Sequence, residues 1–173
     1  MSKIDTIAQQ PVSLAQALIR RPSVTPADEG ALDVLQQALA SVGFRCTRLP
    51  FEDIDNLYAE IGDGSPHLCF AGHTDVVPPG DAGEWTSPPF DAAVKDGKLW
   101  GRGASDMKAA IAAFASAAAR AVTAKTINGK LSFLITGDEE GKAVNGTVKM
   151  LDWLRAENIK IDHCLVGEPS NPD

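Results

Sequence analysis

The sequence predicts an α/β fold with a mostly parallel central sheet and helices on its faces. Three observations lead there. From residue 67 onward, runs that suit strands and helices come in the order strand, helix, strand, helix, strand, apart from one short hairpin. Residues 67–71, 130–136 and 162–166 are short apolar runs bounded by turn residues, as strands buried on both faces are. The helical runs each carry an apolar stripe or are rich in small residues, which a helix lying on a sheet requires.

In chain order, residues 13–21 carry Leu14, Leu18 and Ile19 at helical spacing and follow Pro11. Pro22 and Pro26 bracket Ser23-Val24-Thr25 as a stiff connection. Residues 28–42 form a second amphipathic helix with Leu32, Leu35, Leu39 and Val42 on one face, stopped by Gly43. Residues 44–49 and 57–61 read as strands across a polar turn, and residues 67–71 as a buried strand between Pro66 and Gly72. Residues 91–100 predict a hairpin turning at Asp96-Gly97. Residues 106–122 predict an Ala-rich helix opened by Asp106. Strand 130–136, helix 144–156 and strand 162–166 complete the series. Trp85, Trp100 and Trp153 read as packing residues.

The 173 residues suffice for one domain with a real core. A hydrophobic fraction of 44% and a charged fraction of 23% are ordinary for a globular protein. The net charge of -7 argues against nucleic acid or an anionic membrane surface as partner. Cys46, Cys69 and Cys164 are odd in number, widely spaced and without a C-x-x-C motif, so they read as buried thiols in a reducing cytoplasm. The first residues lack an apolar signal core. The longest low-polarity run, residues 109–119, falls short of the roughly 20 residues that span a bilayer.

Chemistry concentrates where the strands end. His73 and Asp75 follow one strand, Glu139-Glu140 another and Glu168 a third, while Asp106 sits at the mouth of a helix. In open α/β sheets ligands bind outside the carboxyl ends of strands, so these side chains are expected to share one crevice. Two bare carboxylates about 4 Å apart repel by roughly 4 kcal/mol at an effective dielectric near 20. Five in one crevice need protons or cations, and oxygen ligands with a single imidazole suit zinc, manganese or cobalt. Two divalent ions facing Asp106, Glu140 and Glu168 would retain one positive charge, the electronic demand of metal-assisted hydrolysis. Of the Glu139-Glu140 pair, one can ligate while the other moves a proton. A ligating histidine usually donates its second ring N–H, and Asp75, Thr74 or a backbone carbonyl can receive it.

Four ordered motifs carry a resemblance over nearly the whole chain. Phe-Ala-Gly-His-Thr-Asp-Val-Val-Pro-Pro-Gly at 70–80, Leu-Trp-Gly-Arg-Gly-Ala-Ser-Asp-Met-Lys at 99–108, Thr-Gly-Asp-Glu-Glu-Gly at 136–141 and Val-Gly-Glu-Pro-Ser at 166–170 resemble the M20 metallopeptidase superfamily of di-zinc amidohydrolases. Pro22-Ser23-Val24-Thr25-Pro26 and Asn145-Gly146-Thr147 favour its desuccinylase branch, with aminoacylases, acetylornithine deacetylases and carboxypeptidases as neighbours sharing the same metal core. The resemblance implies a three-layer sandwich, incomplete at the C-terminus. It implies that His73, Asp106 and Glu168 hold one Zn2+, that Asp106 bridges to a second held by Glu140, and that Co2+ or Mn2+ can substitute. Asp75 would orient His73, Glu139 would act as general base and acid, and the peptide after Asp106 would be cis. The substrate would be a small N-acylated amino acid, and the whole enzyme a cytoplasmic homodimer.

Family members take one further histidine to the second zinc. His67 stands about 20 Å from His73 along an extended strand, and His163 about 16 Å from Glu168, so both read as structural. The chain, residues 1–173, is therefore expected to be the N-terminal part of a catalytic domain, lacking the dimerisation or lid domain and the C-terminal catalytic part. Such a piece would keep a one-metal site, have little activity alone and expose apolar surface and sheet edges. A non-catalytic metal-binding module is the reading from another class. A nucleotide-binding domain is disfavoured, because Gly101-Arg102-Gly103 is not a G-x-G-x-x-G and the acidic cluster repels phosphate.

Overall fold

The computed structural model describes residues 7–170. The readings made on the first six residues and on Asn171, Pro172 and Asp173 lie outside the described part. Helix α1 spans Pro11–Ile19 and buries Leu14, Ala15, Leu18 and Ile19, one apolar stripe behind an N-terminal proline. Helix α2, Ala31–Ser41, starts later than its sequence pattern suggests. Asp28 lies outside it and caps it, its carboxylate accepting the N–H groups of Gly30 at 3.0 Å and Leu32 at 2.9 Å. Gly43, at φ 101°, takes the left-handed step after the helix end.

Five strands form the main sheet: β1 (Arg45–Arg48), β2 (Leu57–Gly62), β3 (His67–His73), β6 (Lys130–Thr136) and β7 (His163–Val166). Strands β4 (Ala93–Lys95) and β5 (Lys98–Trp100) form the separate hairpin, with Asp96 and Gly97 both at positive φ as a primed turn requires. The main sheet has the order β1-β2-β6-β3-β7. Pairs β6–β3 and β3–β7 are parallel, whereas β2 runs antiparallel to both its neighbours. Four of the five strands thus point the same way, and β2 is the exception that permits the short β1–β2 connection.

Helices cover both faces. On one face α1, α2 and α3 (Ala109–Ala124) pack over Leu57, Ala59, Phe70, Phe133 and Ile135. Phe70, Phe114 and Phe133 meet there with ring centroids 4.6 to 6.0 Å apart. On the other face α4 (Thr147–Ala156) lays Met150 and Leu154 against Tyr58, Cys69 and Leu134. The result is the three-layer arrangement. No helix among the described residues is long and apolar enough to cross a membrane.

Three expectations are corrected. Strand β7 is not buried: all four of its residues are exposed, with Leu165 at 51% and Val166 at 59%. It is the outer strand, and its apolar composition does not reveal that nothing described covers it. Cys164 is exposed with it, and Cys46 is half-buried, so only Cys69 is the buried thiol expected. Trp100 is 43% exposed rather than packed, although Trp153 meets Tyr58 at 5.3 Å and Trp85 lies under Arg102 at 5.4 Å.

His67 and His163 part company. His163 is exposed, but His67 is 3% exposed, with Nδ1 2.6 Å from the Lys160 carbonyl and Nε2 2.7 Å from Ser132 Oγ. Nδ1–H donates to the carbonyl and Nε2 accepts from the hydroxyl, a neutral ring. Burial holds its pKa below the ordinary 6.5. The unfolded chain therefore takes a proton that the folded chain resists, and stability should fall as pH drops below 6.5. Urea unfolding at about pH 7.5 and about pH 5.5 should give a smaller loss for His67→Gln than for the wild type; equal losses would contradict this.

Candidate metal centre

Parallel register builds the site. His73, the last residue of β3, pairs with Thr136, the last of β6, and Ala71 pairs with Val166, the last of β7. The segments leaving these three ends, carrying Asp75, Glu139-Glu140 and Glu168, therefore emerge side by side. His73 is 1% exposed. Its Nδ1 stands 2.9 Å from the Asp75 carbonyl and 3.5 Å from the Asp75 carboxylate, so the backbone oxygen is the nearer acceptor. That contact turns Nε2 toward three carboxylates: Asp106 at 3.0 Å, Glu168 at 3.3 Å and Glu139 at 3.8 Å.

Asp75 has a second task that its spacing from His73 does not suggest. It is 2% exposed, and its carboxylate accepts the N–H of Glu139 at 3.1 Å and of Glu140 at 3.0 Å. Asp138, 5% exposed, accepts in turn from Ala143, Val144 and Asn145 at 2.9 to 3.1 Å. Two buried aspartates thus satisfy five backbone donors and shape the loop that carries the glutamate pair. Asp138 was visible in the sequence only as part of the Thr-Gly-Asp-Glu-Glu-Gly motif.

Asp106 does not open a helix. It lies in a wide turn, Ala104–Lys108, at φ -118° and ψ 101°, and α3 begins only at Ala109. The Asp106-Met107 peptide is cis. Met107 is fully buried, and its sulfur accepts the His73 backbone N–H at 3.3 Å. A methyl group at Gly72 would come within 2.5 Å of the Met107 terminal carbon, and one at Gly167 within 2.7 Å. Glycine at both positions lets the methionine lie against β3 and the end of β7, beside Asp106. Lys108, also fully buried, donates to the Arg21 carbonyl and to Ser23 Oγ, both at 2.8 Å. Burial pushes its ammonium down to about 8, against the pull of Asp28 and Asp75.

The electrostatics follow from this crowding. Burial opposes the charged form of His73, but the hydrogen bonds and charge of Asp75, then the charge of Glu168, outweigh it and raise the ring to about 9. Burial raises the Glu140 and Glu168 carboxyls, and repulsion from Asp106 and Glu139 adds to it. The cluster therefore favours added positive charge. Two groups have suitable geometry: His73 with Asp106 and Glu168, and His73 with Glu139 and Glu140, each bringing one ligand atom per residue within 4.8 Å of the others. One imidazole with carboxylate oxygens is a donor set that fits divalent zinc, cobalt or manganese.

Comparison with known proteins gives this geometry a context. Residues 69–173 match Peptidase family M20/M25/M40. The chain is 59% identical over 163 residues to the succinyl-diaminopimelate desuccinylase of Maricaulis maris (strain MCS10), covering 94% of this chain and 42% of that protein. It is 61% identical over 160 residues to the succinyl-diaminopimelate desuccinylase of Caulobacter sp. (strain K31), covering 92% and 41%. The chain thus spans about two fifths of the length of the curated relatives it matches. In fold it is similar to the M20 family metallo-carboxypeptidase Sso-CP2 from Sulfolobus solfataricus, with TM-score 0.75 at 22% identity over 93% of this chain and 38% of that one. Human carnosine dipeptidase 1 is similar at TM-score 0.77 and 24% identity, over 96% and 40%.

Replacing Asp138 by alanine leaves three backbone donors without their charged acceptor. The change should cost about 2–3 kcal/mol in urea unfolding and speed amide exchange at residues 143–145. A cost under about 0.5 kcal/mol with unchanged exchange would contradict the role given to this carboxylate.

Proposed function

This chain belongs to peptidase family M20/M25/M40, and from that premise we propose that the longer protein it represents is a metal-dependent amide hydrolase. Its substrate is N-succinyl-LL-2,6-diaminopimelate, cleaved to succinate and diaminopimelate in lysine and diaminopimelate biosynthesis. The identity of 59% to a desuccinylase supports the substrate. One observation carries the chemistry: a buried imidazole nitrogen faces the Asp106, Glu168 and Glu139 carboxylates within 3.0 to 3.8 Å.

In this reading His73, Asp106 and Glu168 would hold one Zn2+, and Asp106 with Glu140 would serve a second, with Co2+ or Mn2+ as substitutes. Divalent cations there supply Lewis acidity and stabilise negative charge as it develops. The chain's own residues do the rest. Glu139, half-exposed beside His73, takes a proton from the attacking water and hands it to the leaving amine as the C–N bond breaks. Asp75 holds the Glu139 and Glu140 backbone with its carboxylate and fixes the His73 ring with its carbonyl, so neither partner must reorganise during reaction. A cleft of about 340 Å³, lined by Thr25, Ile54, Lys142 and Asn145 among others, adjoins the same loop and offers room for a small acylated amino acid. The proposal extends to a cytoplasmic homodimer without nucleic-acid or membrane partners, and the net charge of -7 supports the first exclusion.

The test is Glu139→Gln in the full-length enzyme. It should lower kcat on succinyl-diaminopimelate by about 10²- to 10⁴-fold while metal content stays at the wild-type value. Wild-type kcat in that variant would remove Glu139 from the chemistry. Faster hydrolysis of acetylornithine than of succinyl-diaminopimelate by the wild-type enzyme would refute the substrate.

A further inference from the structure

Lys108 takes no part in the chemistry just described, yet it is among the costliest residues to place where it lies. Its side chain is fully buried in the middle of the Arg21–Ser23 connection, and a leucine or methionine would fill the space without desolvating a charge. What an apolar side chain lacks is direction. Lys108 Nζ donates to Ser23 Oγ at 2.8 Å, and Ser23 Oγ donates onward to the Thr74 carbonyl at 2.6 Å. The same stretch is pinned by backbone bonds from Val76 N–H to the Ser23 carbonyl at 2.9 Å and from Thr25 N–H to the Val76 carbonyl at 3.2 Å. Ser23 and Thr74 are each 1% exposed, so no water competes for these bonds.

The linkage joins the two halves of the centre by a route other than the sheet. Asp106 lies two residues before Lys108, and Thr74 lies between His73 and Asp75. We propose that Lys108 is a positioning residue: through Ser23 it locks the Ala104–Lys108 turn to the Thr74–Asp75 segment and so sets where the Asp106 carboxylate stands relative to His73. The proposal rests on the reading of His73, Asp106 and Glu168 as a cation site. It adds that the site's precision depends on a lysine and a serine that touch neither cation nor substrate.

The probe is Co²⁺ alone, titrated into this chain by calorimetry and followed by its visible absorption, with thermal unfolding of the metal-free chain recorded in parallel. Lys108→Met keeps the volume and removes the donors; Ser23→Ala removes only the relay. Both variants, while still melting cooperatively, should bind Co²⁺ roughly tenfold or more weakly and show an altered absorption band. The double variant should be no worse than Lys108→Met, because the two residues act in one chain of bonds. Folded variants that bind Co²⁺ with wild-type affinity and spectrum would overturn the positioning role and leave the cation site standing. If Lys108→Met does not fold, Ser23→Ala decides by the same criterion. A wild-type chain that binds no Co²⁺ would overturn the site and the positioning role together.

Discussion

The parallel pairing of β3 with β6 on one side and β7 on the other is the constraint on which the site depends. It brings three strand ends level, so the segments that follow them must leave the sheet together. A shift of β7 by one residue would turn Val166 to the opposite face and move the departure of Glu168 by about 3.3 Å, comparable to its present 3.3 Å approach to His73. The aromatic contacts of Phe70 on β3, Phe133 on β6 and Phe114 on α3 fix the β3–β6 half of this frame, since each ring has one place to go.

On that frame the centre is assembled by buried polar side chains that do little chemistry themselves. Asp75 ties the glutamate loop to the turn after β3, Asp138 closes the loop on itself, and the Lys108–Ser23 bonds tie the Asp106 turn to the same place. Each group is buried and satisfied, which is the condition under which polar groups in an interior add rigidity rather than cost. The carboxylates proposed to act are treated oppositely. Asp106, Glu139 and Glu168 keep 38% to 51% of their side-chain surface open, so they face outward from a rigid floor. Their mutual repulsion is tolerated because His73 sits beneath them as a counter-charge, a role that a divalent cation held among them would fill better.

Much of this was legible in the chain. The order of elements, the hairpin at Asp96-Gly97 and the strand at 130–136 follow from periodicity and turn residues, and the structure has them where the pattern puts them. The gathering of His73, Glu139, Glu140 and Glu168 followed from a rule about strand ends, not from any local signal at those residues, whereas Asp106 reaches the same place from a turn rather than from the helix mouth expected of it. Other features were hidden for physical reasons. Residues 164–166 are as apolar as a core strand, and hydrophobicity reports what a residue prefers, not whether a neighbour covers it. Asp106 precedes a strong helical run, yet its own backbone is extended because the turn answers to His73 and Met107 rather than to propensity. Lys108 appears in the sequence only as the last residue of the 99–108 motif, and only the fold shows that its partners are a carbonyl and a hydroxyl more than 80 residues away.

Anomalous X-ray scattering at the zinc edge, from crystals of this chain grown with Zn²⁺, tests the centre most directly. A peak about 2 Å from His73 Nε2 and from one oxygen each of Asp106 and Glu168 is the expected result. A zinc peak elsewhere, with those three side chains unliganded, would contradict the metal centre and the hydrolase built upon it.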